Sequence, residues 1–295
     1  MNLKNIRTFV TAAERNSFTA AAVELHYAQS TVTAQIDALE RELGVKLFIR
    51  SGKNISLSDA GRTFLGYAYR MLSLQNDVES YFRGEERIFG TVRLGIIESV
   101  SASDYVTAVA SFLQENPEVD IRMLVGTTLE LTEKLKKGEV DLVFLLDQPV
   151  QDPDLSVLAR AEADVLFFAA SDHDVPAVTS LARLQDETWI LTEPGCNYRR
   201  ILDDRLTALN LTVRNNLEAG VTGMIIDFVS RDIGISLLPV FNLKTALEQK
   251  RVRTFDVTDC RIRMELQVLA NRHHWLSPAM RRLAESLKDA ISKPL

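Results

Sequence analysis

The chain is poor in cysteine and histidine, and it lacks the common catalytic spacings. Cys196 and Cys260 are its only cysteines in 295 residues. Two thiols with no CxxC spacing cannot form a disulfide framework, which excludes a small disulfide-stapled domain and leaves both expected as reduced side chains. His26, His173, His273 and His274 form no HxxxH or HxxEH pattern, so the usual zinc-enzyme signature is missing and no metal site is expected. No GxGxxG, GxxxxGK or GxSxG occurs either. That removes the phosphate-cradling loops of nucleotide enzymes and the nucleophile turn of many hydrolases. No run of about eighteen apolar residues is free of charge, and the start, Met1 to Arg7, has no signal-peptide core. A cytoplasmic protein with no membrane partner and no cofactor is expected.

What is present is an ordinary globular mixture, 46% hydrophobic and 25% charged. A chain of this length predicts two or three compact units. The net charge of −6 is unevenly spread: residues 1–57 carry seven basic and five acidic side chains, so a weakly basic segment precedes an acidic remainder.

Apolar residues at helical spacing run from Leu3 to Ala13, and a second short helix is predicted at Thr19–Leu25. A third carries Val32, Ile36, Leu39 and Leu43 as one stripe, with Gly44 placed to end it. Val45–Ile49 and Ile55–Leu57 read as the strands of a hairpin. Three short helices and a hairpin make a winged helix-turn-helix, with the polar face of the third helix free to enter a major groove. Ser58 is placed to cap a long helix reaching about Arg87, with apolar positions at Phe64, Ala68, Met71, Leu72, Val78 and Phe82. Such a helix spans roughly 45 Å; burying it predicts pairing with a second copy. Beyond Gly90 strand and helix signals alternate, which predicts an α/β unit with a parallel sheet.

Tyr27 through Glu40 closely resembles the recognition helix of LysR-type transcriptional regulators, and the likeness continues through Glu42–Arg50 and Leu57–Gly61. Gly138–Leu142 and Gly234–Pro239 also look typical of that family. The resemblance implies a homodimer or dimer of dimers on a palindromic promoter site of double-stranded DNA, with RNA polymerase as a further partner. It also implies a C-terminal effector domain similar to periplasmic binding proteins, two α/β subdomains joined by two crossover strands. The expected units are 1–58, the winged helix-turn-helix; 59–89, the linker helix; and 90–295, the effector domain. Within the last, subdomain I takes 91–162 and 268–295 and subdomain II takes 163–267, with Asp164–Ala170 and Leu266–Asn271 as candidate crossovers.

For DNA contact the polar face of the third helix offers Gln29, Ser30, Thr31 and Thr33, and the hairpin offers Arg50 and Lys53. Gln pairs with adenine edges, and hydroxyls reach phosphates or bases. Ala28 and Ala34 stand where family members often carry a capping serine and an arginine. For the effector, residues beyond strand ends are selected: Ser99, Val100, Ser101, Thr127, Thr128, Gly195, Cys196, Asn197, Thr222 and Gly223. Hydroxyls and free amides at helix starts suit a small anion, or serve as plain N-caps. Glu98 and Glu193 flank this region and either favour a cationic group or face solvent. Cys196, at a helix start, is also a candidate redox thiol. The rival readings are an enzyme with a DNA-binding domain and a ligand-binding protein whose DNA-binding domain is vestigial.

Overall fold

A computed structural model of the chain describes residues 1–51, 54–83, 88–213 and 215–292. The N-terminal module is α1 (Leu3–Arg15), α2 (Phe18–Glu24), α3 (Gln29–Leu43) and a hairpin of β1 (Phe48–Ser51) and β2 (Asn54–Leu57). Each helix forms where its spacing predicts. Asn2 and Ser17 cap α1 and α2 through their side chains, whereas Ala28 gives α3 no side-chain cap. Gly44 closes α3 at φ 69°, a left-handed conformation that suits glycine. Val32, Ile36 and Leu39 are fully buried against Ile6, Phe9 and Phe18, and Phe18 packs edge-on to Phe48 at 5.2 Å between ring centres.

The hairpin starts three residues later than Val45. The backbone N–H groups of Leu47 and Phe48 donate to the Glu40 carboxylate at 2.9 and 3.2 Å, and that diverts this stretch from strand pairing. The first ladder pair is therefore Phe48 with Leu57.

Ser58 accepts the Gly61 N–H at 2.9 Å and opens α4 (Asp59–Arg83). The expected end near Arg87 lies outside the described residues. A side chain at Gly61 would place a carbon 2.0 Å from the Leu47 carbonyl oxygen, so only glycine lets α4 close on the hairpin. One face of α4, Phe64 and Ala68, joins the core of the module. The other shows Tyr67, Leu74 and Val78 to solvent, residues seven and four apart on a single stripe.

The body holds β3 (Gly90–Ile96), α5 (Glu98–Ser101), α6 (Val106–Glu115), β4 (Val119–Val125), α7 (Thr128–Lys137), β5 (Leu142–Asp147) and β6 (Leu155–Ala170). It continues with β7 (Val178–Thr179), β8 (Thr188–Leu191), α8 (Asn197–Ala208), β9 (Asn215–Glu218), α9 (Thr222–Ser230) and β10 (Ser236–Pro239). α10 (Val240–Glu248), β11 (Val252–Val257), β12 (Ile262–Asn271) and α11 (Pro278–Ile291) complete it. The sheet is mixed rather than parallel throughout. β4, β3 and β5 run parallel in one lobe, and β8 with β9 do so in the other. β6 and β12 cross between the lobes as one antiparallel pair, from Leu155–Asn271 to Val165–Ile262.

That pair corrects the expected crossovers. β6 begins nine residues before Asp164, and β12 begins four before Leu266. In the early part of β6, Arg160, Glu162 and Asp164 lie toward solvent while Ala159 and Ala163 face inward. Alanine and charge are poor strand signals, and pairing along β12 overrides them.

Where α4 meets the body, burial and the Arg70 cation hold His274 down to about 4; Arg93 and His273 act in the same sense, and Asp141 opposes them. Unfolded, this ring takes a proton near its ordinary value of 6.5. As pH falls from there toward 4 the unfolded chain binds the extra proton, so stability is expected to fall through that window. Thermal unfolding across those pH values should show the slope, and His274→Gln should flatten it.

Candidate nucleic-acid interface and effector cleft

Because the apolar stripe of α3 is buried, its other face must be exposed. Gln29, Ser30 and Thr31 stand in solvent on its first turn. Thr33 is half-buried, and its hydroxyl donates to the Gln29 carbonyl at 3.1 Å, which leaves it only as an acceptor. Ser30, Thr31, Ala34, Gln35 and Ala38 line a shallow, open depression shared with Asn5 of α1. Gln35 is fixed there by the Thr8 hydroxyl at 2.6 Å. Ala34 and Ala38, with their short side chains, keep the surface low beside the Ser30 and Thr31 hydroxyls. Arg50 lies on β1 opposite Ile55, and Lys53 falls outside the described residues. Sequence reasoning misses Asn5 and Gln35. The available signal is position alone, one α3 turn from Thr31 for Gln35 and the neighbouring helix for Asn5.

The predicted effector residues converge only in part. Thr128 and Asn197 meet: the Asn197 side-chain amide donates to the Thr128 hydroxyl at 2.9 Å and to the Leu146 carbonyl at 3.1 Å, joining the lobes. Thr127 caps α7 in a reciprocal box with Glu130. Thr222 is buried, and both its N–H and its hydroxyl donate to Glu98, the former at 2.9 Å. Glu98 is half-buried and bonds at the start of α9 from the opposite lobe. Ser99 is buried, and its carbonyl accepts from Asn242 at 2.7 Å. Ser101 donates to the Glu98 carbonyl at 2.7 Å. Gly195 and Gly223 are exposed with open space beside them.

Val100 is a correction. It is fully buried among Leu94, Ile96 and their neighbours, because the one-turn α5 points its second and third residues inward. Asp147 is a residue that sequence reasoning overlooks. It ends β5 at the same edge of the sheet, accepts the Gln148 N–H at 2.7 Å, and is held above the usual carboxylate range by burial, with Arg200 partly opposing that. The rule that selects Thr128 covers Asp147 equally, when applied to the strand after α7. Asn242 carries no such signal, since α10 has no assignment from the sequence.

Cys196 opens α8, with the Tyr198 and Arg199 N–H groups directed toward it. Burial nevertheless outweighs them and pushes its thiol up, away from the thiolate a peroxide sensor needs. Burial likewise pushes the Cys260 thiol up to about 11, and both cysteines are free.

A cleft separates α1 and α4 from β3 and β4, a space of about 410 Å³. Across it Glu14 pairs with Arg122 and accepts the Tyr69 hydroxyl at 3.1 Å, and Arg93, paired with Asp141, stacks 4.0 Å over the Tyr69 ring.

Residues 3–62 match the family described as bacterial regulatory helix-turn-helix protein, lysR family, and residues 85–292 match the LysR substrate binding domain. The chain is 32% identical over 285 residues to an uncharacterized HTH-type transcriptional regulator, YwqM, of Bacillus subtilis, covering 95% of this chain and 96% of that one. It is 28% identical over 286 residues to the RuBisCO operon transcriptional regulator of Allochromatium vinosum, covering 95% and 93%. Among solved structures, a full-length single-residue variant of OxyR from Pseudomonas aeruginosa superposes with a TM-score of 0.77 at 20% identity, over 99% of this chain and 94% of that one. CbnR in complex with its target DNA gives 0.65 at 19% identity, over 98% and 100%. The two matched segments and the end-to-end relative agree with the module, long helix and two-lobed body described above: the protein belongs to the LysR family of bacterial transcription regulators, which join a DNA-binding helix-turn-helix to an effector-binding domain.

Proposed function

We propose that α3 lies in a major groove with Gln29 and Thr31 on base edges, Thr33 accepting, and Ser30 with Arg50 and Lys53 on phosphates. The observation that carries this is the exposed polar first turn of α3 above a fully buried apolar stripe. Gln29→Ala should cost about 1–3 kcal/mol on the cognate site and relax discrimination there. Titrating operator and scrambled DNA side by side checks it; equal losses on both would take Gln29 out of base reading.

The working units are 1–58, 59–89 and 90–295, the last with subdomains 91–162 plus 268–295 and 163–267. Two copies pair through α4 on a palindromic site, and RNA polymerase is the downstream partner. The protein works in the cytoplasm, by binding and not by catalysis. The effector is a small anionic molecule held between the lobes near Thr128, Asn197, Ser101, Gly195 and Gly223, with the exposed Arg200 one turn away on α8 as the cation. Thr127, Cys196 and Ser99 border that space. A carboxylate that takes Thr222 must displace Glu98. Burial of the Cys196 thiol disfavours the redox alternative.

A further inference from the structure

Helix α7 begins at the contact between the lobes and ends at the linker helix. At its start, Thr128 accepts from Asn197 of the other lobe at 2.9 Å. Eight residues on, about 12 Å away, its last turn meets two separate elements. The Lys136 carbonyl accepts from the Arg70 guanidinium of α4 at 3.1 Å and from the Asn271 amide at 3.1 Å. Asn271 is the final residue of the crossover strand β12, paired with Leu155 at the start of β6.

The close approach is built in. A carbon added at Gly66 of α4 would stand 2.6 Å from the Lys137 carbonyl oxygen, a backbone atom with no freedom to move aside. Gly138 turns α7 off at φ 73°, and a carbon there would crowd Arg70 and His274. Glycine inside a helix is unfavourable on its own, so Gly66 in the middle of the linker helix marks a required contact. A cation at a helix C-terminus is also favoured by the helix dipole.

We propose that α7 is the coupling rod of this protein: it carries the state of the effector cleft to the linker helix, with Gly66 and Arg70 of α4 and Asn271 of β12 as the positioning residues at its far end. The inference rests on the two-lobed body acting as the effector domain. Its physical requirement is one rigid element whose position both sites bias. α7 meets that requirement, since its first turn bonds to the other lobe and its last turn bonds to the linker helix α4. The crossover strand β12 ends on the same carbonyl, so the link between the lobes and the linker helix share one anchor.

Hydrogen exchange on the full-length protein without DNA tests this. Asn197→Ala cuts the bond at the cleft end and needs no identified effector. It should speed exchange roughly fivefold or more in 128–137 and also in 66–74 of α4. In an Arg70→Ala background the same change should still act on 128–137 but add nothing in 66–74. Gly66→Ala is the second variant, expected to break the α4 response in the same way. An α4 segment that ignores Asn197→Ala, or that responds equally with Arg70 or Gly66 replaced, would overturn the proposal. So would an α7 that ignores Asn197→Ala. Because no DNA is present, failure here leaves the DNA reading standing, and failure of operator binding leaves this result standing.

Discussion

Replacing Leu74 and Val78 together by glutamate is expected to lower operator affinity by about 10²- to 10⁴-fold, the factor that joining two binding modules typically supplies. The two side chains are 58% and 49% exposed on the stripe of α4 that does not pack on its own module. A paired helix places each stripe against its own copy, so glutamates there meet glutamates. A single module has little to hold DNA with. Its segment has a surplus of only two positive charges, and α3 lacks a side-chain cap at Ala28 and a cation at Ala34. Affinity therefore depends on presenting two copies at fixed spacing. Sedimentation should show the variant as a monomer that keeps its helix content by circular dichroism. Intact dimers with unaltered affinity would move the pairing surface away from α4.

Glu40→Ala should destabilise the N-terminal module by about 2–4 kcal/mol, by leaving two buried N–H donors unpaired. Glu40 is 3% exposed, and its carboxylate accepts from Leu47 and Phe48. Lys46 also donates to it at 2.6 Å, but that lysine is largely in solvent and adds little. Without this anchor the Leu47 and Phe48 N–H groups have no acceptor, and Phe48 is held less firmly between Phe9 and Phe18. For a module of this size the melting point should drop on the order of 10–20 °C. Glu40→Gln, which keeps one acceptor, should fall between the two. Calorimetry on the full chain resolves it as an early transition that separates from the body. A shift of only a degree or two would mean that packing alone places the hairpin.

The elements that the sequence made legible share one property: their signal is local. Val32, Ile36, Leu39 and Gly44 fix α3 by spacing and a single left-handed residue. Ser58 opens α4 because a cap acts on its own next turn. What was not legible depends on residues distant in the chain. The first half of β6 is a strand only because β12, about a hundred residues later, pairs with it. Glu40 looks like a solvated helix glutamate until Leu47 and Phe48 fold back to it.

The same division holds at the cleft. Choosing residues past strand ends finds Thr128 and Asn197, which touch, and passes over Asp147, which the same rule covers. It includes Val100, whose direction is set by a one-turn helix with no periodicity to read. Glu98 is visible, but its partner Thr222 is 124 residues away, so its role as a bond between lobes appears only in three dimensions. For Cys196, position alone favours a thiolate, and burial reverses the outcome.

Footprinting the full-length protein on the DNA upstream of its own gene, over a range of salt, tests DNA recognition most directly. Two protected half-sites on one face of the duplex are expected, with protection weakening steeply as salt rises. Absence of protection at every salt concentration, down to low ionic strength, would contradict it.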